Sequence, residues 1–203
     1  MRMATQPESA GSETWGAYIA QRARAIADSI ARMITFTGLT PNAVTVIGFF
    51  LTAGVAVVIA AGYSLLGGVL VIFVGLFDML DGALARVNSR KTKFGAFLDS
   101  TLDRYSEALL LAGVLWASPD LLTAMLVVAV LAGSLLVSYA RARAESMSID
   151  CEVGLLPRPQ RVVLLAAGLI TGFIIPALWI LAVLTHVTTL QRILHVRRLL
   201  GDR

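Results

Sequence analysis

The sequence consists of long apolar stretches separated by short segments that contain polar residues, glycine or proline. Several of these stretches approach the roughly 20 residues that an α-helix needs to cross the hydrocarbon core of a bilayer. The pattern therefore predicts six membrane-spanning helices, over residues 42–61, 69–88, 94–116, 121–145, 160–176 and 176–196.

Local signals set the expected helix boundaries. Thr40 followed by Pro41 is typical of a helix start, because a threonine can cap the first turn and a proline there needs no hydrogen-bonded N–H. The remaining boundaries are expected at a turn over residues 62–68, at Pro119, in a polar loop over 146–159 and near Pro176.

The segment before the first span has a different pattern. Residues 1–12 are polar and are expected to be disordered. Over residues 13–35 apolar side chains recur at helical spacing and arginines lie outside that stripe, which is typical of an amphipathic helix in the membrane interface. No cleaved leader is expected. Residues 36–203 would then form one six-helix membrane domain.

Composition supports this class. The chain is 57% hydrophobic and 15% charged, whereas a soluble domain carries roughly 25% charged residues, and its mean hydropathy is +0.79. We therefore expect an all-α polytopic protein of the cell membrane, for which nucleic-acid binding is a poor explanation. The single cysteine, Cys151, excludes an internal disulfide.

Positive charge is distributed unevenly along the chain. The 17 Lys and Arg lie in the N-terminal segment, around the second and third helices, between the fourth and fifth, and from Arg192 onward. The turns near Gly62, Pro119 and residues 171–176 contain none. The positive-inside rule calls the basic side cytoplasmic, so both termini and the acidic segment described next are expected there.

Four aspartates interrupt the second and third apolar stretches. Asp78 and Asp81 are three residues apart, and Asp99 and Asp103 are four apart, so each pair shares a helix face. If residues 89–93 form a tight turn, the two helices direct all four carboxylates at one point, where their repulsion requires a cation. Carboxylates suit hard ions such as Mg²⁺, Mn²⁺ or Ca²⁺. We expect a divalent metal site, with two ions.

Two further observations bear on the acidic segment. Salt bridges with Arg86 and Arg104 are an alternative to a metal, but four acids for two arginines leave the charges unbalanced. Gly82 and Gly95 lie beside the acids, where they would leave space for a bulky group at the metals or allow close helix packing. The two histidines lie near the tail and are expected to be packed or interfacial.

A second set of basic residues flanks the loop between the fourth and fifth helices. It comprises Arg141, Arg143, Arg158 and Arg161. Arginine forks match phosphate oxygens in two-point hydrogen bonds. Because these residues are expected on the same membrane side as the acids, they favour a phosphate-bearing substrate over general positive charge.

Eight positions of the acidic segment carry a family resemblance: Asp78, Asp81, Gly82, Ala85, Arg86, Gly95, Asp99 and Asp103. Together they resemble the complete signature of the CDP-alcohol phosphotransferase family, and the six-helix plan extends the likeness over nearly the whole chain. The resemblance implies transfer of a phosphatidyl-type group from a CDP-linked lipid, such as CDP-diacylglycerol, to an alcohol with release of CMP. It also implies a role in phospholipid biosynthesis, dependence on Mg²⁺ or Mn²⁺, and a homodimer.

The same resemblance implies roles for individual residues. The metal ligands would be Asp78, Asp81, Asp99 and Asp103, and Asp103 would also be the general base for the acceptor hydroxyl. Contacts with the CDP-linked lipid would come from Pro41, Asn42, Ala43, Val44, Asp78, Asp81, Gly82, Arg86, Thr92 and Gly95.

The acceptor is indicated by three other segments. Residues 98–104, 138–145 and 158–161 are most similar to the inositol-phosphate branch, the phosphatidylinositol-phosphate and archaetidylinositol-phosphate synthases. Gln160 stands where that branch usually has an acid, and Arg141 where some members have lysine. The similarity implies inositol 1-phosphate as acceptor, with its phosphate held by Arg141, Arg143, Arg158 and Arg161.

Alternatives remain open at this stage. Glycerol 3-phosphate or another polar alcohol could replace inositol 1-phosphate, whereas a serine acceptor would leave the four arginines without a role. The donor could carry diacylglycerol or archaeal ether chains. A small cation transporter would use the acids as an ion site, but such transporters often contain internal repeats, and this sequence contains no convincing one.

Overall fold

A computed structural model describes residues 40–87 and 92–201, and over residues 79–87 it describes the backbone alone. Within these ranges the chain forms six helices: α1 (Pro41–Ala60), α2 (Ser64–Val87), α3 (Lys93–Ala117), α4 (Leu121–Ser146), α5 (Arg158–Thr171) and α6 (Ile174–Gly201). The all-α class is confirmed. The N-terminal disorder and the interfacial helix predicted for residues 1–35 lie outside the described residues.

Side-chain caps start three of the described helices, α1, α3 and α4. Thr40 Oγ1 accepts a hydrogen bond from the backbone N–H of Ala43 at 3.2 Å, and Pro41 opens α1, as the sequence predicts. At α4, Asp120 accepts from the N–H of Thr123 at 3.0 Å. The side-chain and backbone hydrogen bonds of Thr123 lower the pKa of Asp120, because they favour the ionised carboxylate. The cap thus orders the start of α4 while the acid is charged.

The predicted start of the second helix, at residue 69, is wrong by five residues. The turn is confined to residues 61–63, where Gly62 has a φ of 90°, and Gly67 and Gly68 lie inside α2. A Cβ at Gly68 would lie 2.7 Å from Ile170 Cγ1, and one at Gly67 would collide with Ile59. These two glycines serve helix packing rather than chain reversal.

The boundary predicted at Pro176 is also displaced. Helix α5 ends at Thr171, followed by Gly172 in the left-handed region with a φ of 76°. Pro176 lies in the first turn of α6, where a helix has no acceptor for the N–H that proline lacks. Proline therefore marks the beginning of a helix here, not the end of the preceding one.

The helices pack around a shared apolar core. α1 contacts α2 and α3, α2 contacts α5, α5 contacts α6, α6 contacts α4, and α4 contacts α3. Ile59, Leu111 and Leu178 are fully buried in that core. Gly113 lies against the backbone of Ala56, which brings α3 close to α1 because small residues let helix backbones approach.

Among the described residues, α1, α4 and α6 are long and apolar enough to cross a membrane. Helix α5 has only 14 residues, fewer than the roughly 20 of a full span, and α2 and α3 carry charged residues. Large apolar side chains such as Phe50, Trp116 and Met125 are exposed on the outside. Apolar surface of this extent suits contact with lipid rather than water.

Candidate active site

The acids of α3 are arranged by the way that helix begins. Thr92 Oγ1 accepts a hydrogen bond from the N–H of Gly95 at 2.9 Å and caps α3. From this start Gly95, Asp99 and Asp103 follow at intervals of four residues, so they share one face of the helix. Asp99 and Asp103 are both half-buried.

Arg158, at the start of α5, joins the acids of α2 and α3. Its Nη2 lies 3.0 Å from Asp78 Oδ2 and 2.9 Å from Asp103 Oδ1. The buried Nε of Arg158 has no hydrogen-bond partner within the described part of the chain. Arg104, the partner considered from sequence, instead donates to the carbonyl of Ser100 in its own helix. Two carboxylates from different helices therefore converge on one cationic nitrogen.

A glycine of α1 leaves space for Asp78. A Cβ at Gly48 would lie 2.9 Å from Asp78 Oδ1 and 3.5 Å from Phe77 Cδ1. A methyl group at that distance from a carboxylate oxygen would force a shift. Gly48 thus allows α2 to present Asp78 close against the surface of α1.

Arg161 forms a two-point salt bridge with Glu107. Arg161 Nε lies 2.8 Å from Glu107 Oε1, and Nη2 lies 3.0 Å from Oε2. Arg161 Nη1 also donates to the carbonyl of Leu156 at 3.3 Å. The Arg161 side chain is only 3% exposed, and its guanidinium is committed to protein groups. The structure therefore assigns it to the support of α5, while its predicted phosphate contact remains untested.

A polar pocket of about 150 Å³ lies beside the acids. Its charged lining consists of Asp103, Arg104, Glu107, Arg141, Arg158, Arg161 and Arg192. Arg143 is not among the lining residues: it is exposed, and its Nη1 lies 3.4 Å from Ser146 Oγ. Three of the four predicted acceptor-site arginines thus lie together, and Arg192 joins them.

Arg158 also lines an apolar cavity of about 480 Å³. Most of its lining comes from α1, α2, α3 and α5, and Asp78 is among the lining residues. Glu107, Arg158 and Arg161 line both this cavity and the polar pocket. These three side chains therefore border both the apolar cavity and the polar pocket.

The predicted nucleotide side is formed where α1 and α3 begin. A Cβ at Gly95 would lie 2.8 Å from Asn42 Oδ1 and 3.0 Å from Thr92 Oγ1. Asn42, at the start of α1, thus lies close to Gly95 at the start of α3, while the nucleotide contacts expected of residues 41–44 stay a prediction. The side chains of Asp81, Gly82 and Arg86 lie outside the described ones, so their predicted contacts remain predictions.

The donor set fits a hard divalent ion. Asp78 and Asp103 already direct oxygens at one position that holds positive charge, and Asp99 lies one turn before Asp103. Carboxylate oxygens are the ligands that Mg²⁺ and Mn²⁺ prefer. No three acid, histidine or cysteine side chains of the described set converge closely enough to hold an ion alone, and Asp81 falls outside that set.

Sequence reasoning missed Glu107, Arg192 and Gly48. Glu107 could have been identified from the sequence, because it continues the four-residue spacing of Asp99 and Asp103 by one more turn. Arg192 looks like one of the basic residues that are usual near the end of the last helix, and Gly48 looks like any other glycine of an apolar span. Nothing in the local sequence of Arg192 or Gly48 indicates a role in the site.

The fold and this centre define a class: a membrane-embedded helical protein with an acid–arginine site suited to phosphate-bearing ligands. The family model of CDP-alcohol phosphatidyltransferase matches residues 38–191. The chain therefore belongs to the CDP-alcohol phosphatidyltransferase family, which confirms the assignment made from the acidic segment.

Relatives and solved structures agree with this assignment. The archaetidylinositol phosphate synthase of Methanothermobacter thermautotrophicus is 41% identical over 121 residues, 56% of this chain and 60% of that protein. The phosphatidylinositol phosphate synthase of Corynebacterium glutamicum is 34% identical over 184 residues, 84% of each chain. The crystal structure of the Mycobacterium tuberculosis phosphatidylinositol phosphate synthase with CDP-DAG bound superposes with a TM-score of 0.79 at 32% identity, covering 85% of this chain and 94% of that one.

A second structure of the M. tuberculosis enzyme is a complex with manganese and citrate. It superposes with a TM-score of 0.77 at 32% identity, and the match covers 84% of this chain and 88% of that one.

Proposed function

We propose that this protein transfers a phosphatidyl-type group from a CDP-linked lipid to inositol 1-phosphate and releases CMP. The observation that carries the proposal is the position of Arg158, which contacts Asp78 and Asp103 and lines both cavities. One side chain thereby connects an acid centre, an apolar compartment and a cationic pocket. A lipid diphosphate and a small phosphorylated alcohol are substrates that need these three environments together.

The donor would be held from the α1 side. Asn42 lies beside Gly95, and the absence of a side chain at Gly95 allows a ligand to approach the α3 backbone. Pro41, Ala43 and Val44, which are neighbours of Asn42 in α1, are proposed as further contacts. Gly82 and Arg86 are proposed as further contacts with the nucleotide and its phosphates. The lipid chains of the donor are apolar, and the 480 Å³ apolar cavity, whose lining includes Asp78, could hold the part of them nearest the diphosphate.

The acceptor would bind in the polar pocket. Arg141 and Arg158 line it, and their guanidinium forks can hold a phosphate by charge-assisted hydrogen bonds. This preference for a phosphorylated acceptor supports inositol 1-phosphate or glycerol 3-phosphate over serine. The relatives named for inositol lipid synthesis favour inositol 1-phosphate. Arg143 and Arg161 remain candidate contacts, although one is exposed and the other is paired with Glu107.

Asp103 is proposed as the base. It contacts Arg158 and also lines the polar pocket, so an acceptor hydroxyl bound there could approach it. The hydroxyl oxygen would form a bond to the lipid-linked phosphorus while its proton passes to the Asp103 carboxylate. The bond between that phosphorus and the bridging oxygen breaks, and CMP leaves with the electron pair. Mg²⁺ or Mn²⁺ held by Asp78, Asp81, Asp99 and Asp103 would supply charge neutralisation for the diphosphate when bound.

Other features support a proposal for the membrane side and the assembly. The uneven distribution of arginine and lysine supports a cytoplasmic active site in the cell membrane. A homodimer and a pair of ions at each site are also proposed, on the strength of the family resemblance.

An acceptor panel tests the proposal. Purified full-length protein is incubated with CDP-diacylglycerol and Mn²⁺ or Mg²⁺, and CMP release is measured with inositol 1-phosphate, glycerol 3-phosphate or serine. We expect release with inositol 1-phosphate at a kcat/KM at least about tenfold higher than with the other two, a difference of about 1.4 kcal/mol. A preference for glycerol 3-phosphate would keep the chemistry and change the acceptor. No release with any acceptor would contradict the activity.

A further inference from the structure

Two side chains that line the apolar cavity carry hydroxyl groups, and the two hydroxyls differ in their hydrogen bonds. Thr52 of α1 and Ser106 of α3 are both buried, at 4% and 7% exposed. Thr52 Oγ1 donates to the carbonyl of Gly48 in its own helix at 3.0 Å. Within the described part of the chain, the Ser106 hydroxyl has no hydrogen-bond partner. Ser106 therefore brings an unsatisfied polar group to an apolar space.

An unsatisfied hydroxyl at a buried position needs an explanation. It costs free energy, because the group has lost its hydrogen bonds to water. Serine and threonine in helices commonly avoid this cost by donating to a carbonyl about one turn earlier, as Ser100 and Thr101 do with the carbonyl of Phe97. Ser106 lies in the same helix and makes no such bond. Its hydroxyl is therefore available to a ligand that brings an acceptor into the cavity.

The position of Ser106 along α3 indicates which part of the donor it would meet. Asp103 belongs to the acid centre, and Ser106 follows it by about 4.5 Å along the helix axis, at 1.5 Å per residue. Leu110 and Leu111 line the cavity beyond it. This face of α3 thus passes from a carboxylate to a hydroxyl and then to apolar side chains. A CDP-linked diacyl lipid has its groups in the matching order: diphosphate, glycerol esters and hydrocarbon chains.

We propose that Ser106 donates a hydrogen bond to an ester carbonyl of the donor lipid, so that this protein selects an ester-linked CDP-lipid over an ether-linked one. The ester carbonyl is an acceptor that satisfies the buried hydroxyl. An ether-linked lipid has a methylene group in place of that carbonyl and leaves the hydroxyl unpaired. The inference rests on the proposed function and names the lipid class that the sequence leaves open.

A matched pair of donors tests this selection. CDP-diacylglycerol and its dialkyl ether analogue of equal chain length are compared with inositol 1-phosphate and Mn²⁺, and the KM for each donor is measured. In the wild type the KM for the ester donor is expected to be about two- to tenfold lower, the size of one net hydrogen bond. In Ser106→Ala the two KM values should lie within about twofold of each other.

Two further variants identify the cause of any change. Ser106→Cys keeps a side chain of similar size but a weak donor, so it should lose the preference as Ser106→Ala does. Thr52→Val is the matched control, because it removes a hydroxyl of the same cavity that is already bonded to Gly48. It should keep the wild-type preference. Loss of the preference in Thr52→Val as well would indicate a general effect of cavity polarity and overturn the role of Ser106.

Two other outcomes would also overturn the proposal. Equal KM values for the two donors in the wild type would mean that the hydroxyl serves only a bound water. An unchanged preference in Ser106→Ala would mean that another group reads the ester.

Donor binding without an acceptor separates this inference from the proposed function. The dissociation constants of the two CDP-lipids, measured with Mn²⁺ and no acceptor, should differ in the wild type and converge in Ser106→Ala. If the wild type releases no CMP with any acceptor in the panel, the proposed function fails. The ratio of the two dissociation constants still decides whether Ser106 distinguishes an ester from an ether.

Discussion

Glu107 of α3 and Arg161 of α5 form a two-point salt bridge, with N–O distances of 2.8 and 3.0 Å, in a site where the two side chains are 11% and 3% exposed. Both residues line the apolar cavity and the polar pocket. The pair holds the start of α5 against α3, and Arg158 is three residues away on the same helix. This bridge therefore supports the position from which Arg158 reaches Asp78 and Asp103.

Removing one partner of this pair is expected to destabilise the fold strongly. Glu107→Gln leaves the buried Arg161 without its counter-charge, which costs about 3–5 kcal/mol. The double variant Glu107→Leu/Arg161→Leu should be more stable than Glu107→Gln, because it leaves no buried charge unpaired. Thermal or denaturant unfolding in detergent measures both effects.

An exposed pair provides the matched control for that experiment. Arg141 and Glu145 lie 2.7 Å apart on α4, with side chains 44% and 49% exposed. Glu145→Gln should change stability by only about 0.3–0.5 kcal/mol, the usual size for a solvated pair four residues apart. Equal losses for Glu107→Gln and Glu145→Gln would contradict the supporting role of the buried bridge.

If Asp78 and Asp103 bind metal as proposed, Arg158 should compete with the ion for the same carboxylates. Because its Nη2 contacts both Asp78 and Asp103, Arg158→Gln should raise the affinity for Mn²⁺ about tenfold in the absence of substrates, which corresponds to one charge-assisted hydrogen bond. CMP release should fall in the same variant, because the acceptor phosphate loses its partner. Mn²⁺ binding followed by electron paramagnetic resonance, and turnover, measure the two effects.

Arg198→Gln is the control for Arg158→Gln. Arg198 is an exposed arginine of α6 outside the polar pocket, so the Mn²⁺ affinity and the CMP release of this variant should stay near the wild-type values. A rise in affinity in both variants would point to general surface charge rather than competition at the two carboxylates.

A methyl group at Gly48 should disturb the acid site. Gly48→Ala places a Cβ 2.9 Å from Asp78 Oδ1, and overpacking of this kind typically costs about 1–3 kcal/mol. We expect Mn²⁺ affinity and turnover to fall about tenfold. Gly54→Ala, on the same helix with nothing within 4 Å of the added Cβ, should leave both unchanged. Identical behaviour of the two variants would remove Gly48 from the support of Asp78.

Asp103→Asn tests the proposed base. The amide keeps the shape of the side chain but cannot take the acceptor proton, so CMP release should fall at least about a hundredfold. The melting temperature should stay close to that of the wild type, since Arg158 retains Asp78 as a partner. Turnover at the wild-type rate would exclude Asp103 as the proton acceptor.

Part of the site could be predicted because it depends on helix geometry alone. The four-residue spacing from Gly95 to Asp103 specifies one helix face wherever that helix lies, and Thr92 caps its start as a local hydrogen bond. The contact of Arg158 with Asp78 joins residues 80 positions apart, and no spacing rule reaches that distance. For the same reason, residue spacing does not predict that Arg161 pairs with Glu107, 54 positions away.

Errors in the helix boundaries have a related cause. The sequence pattern predicts Gly67 and Gly68 in a turn, but neighbours on α1 and α5 make glycine necessary inside α2. It also predicts a helix end at Pro176, although proline is equally acceptable in a first turn. A glycine or proline has more than one use, and only its neighbours in space select among them.

By itself the sequence determined the helical membrane class, the acid faces of two helices and the family, because apolar length, capping and residue spacing are local properties of the chain. The tertiary structure decided which partner each arginine contacts. Arg158 faces the acids, Arg161 pairs with Glu107, Arg192 holds backbone carbonyls, and Arg143 stays exposed. All four are chemically identical in sequence, and the packing of α3, α4 and α6 around α5 and the connection before it sets which partner each guanidinium meets.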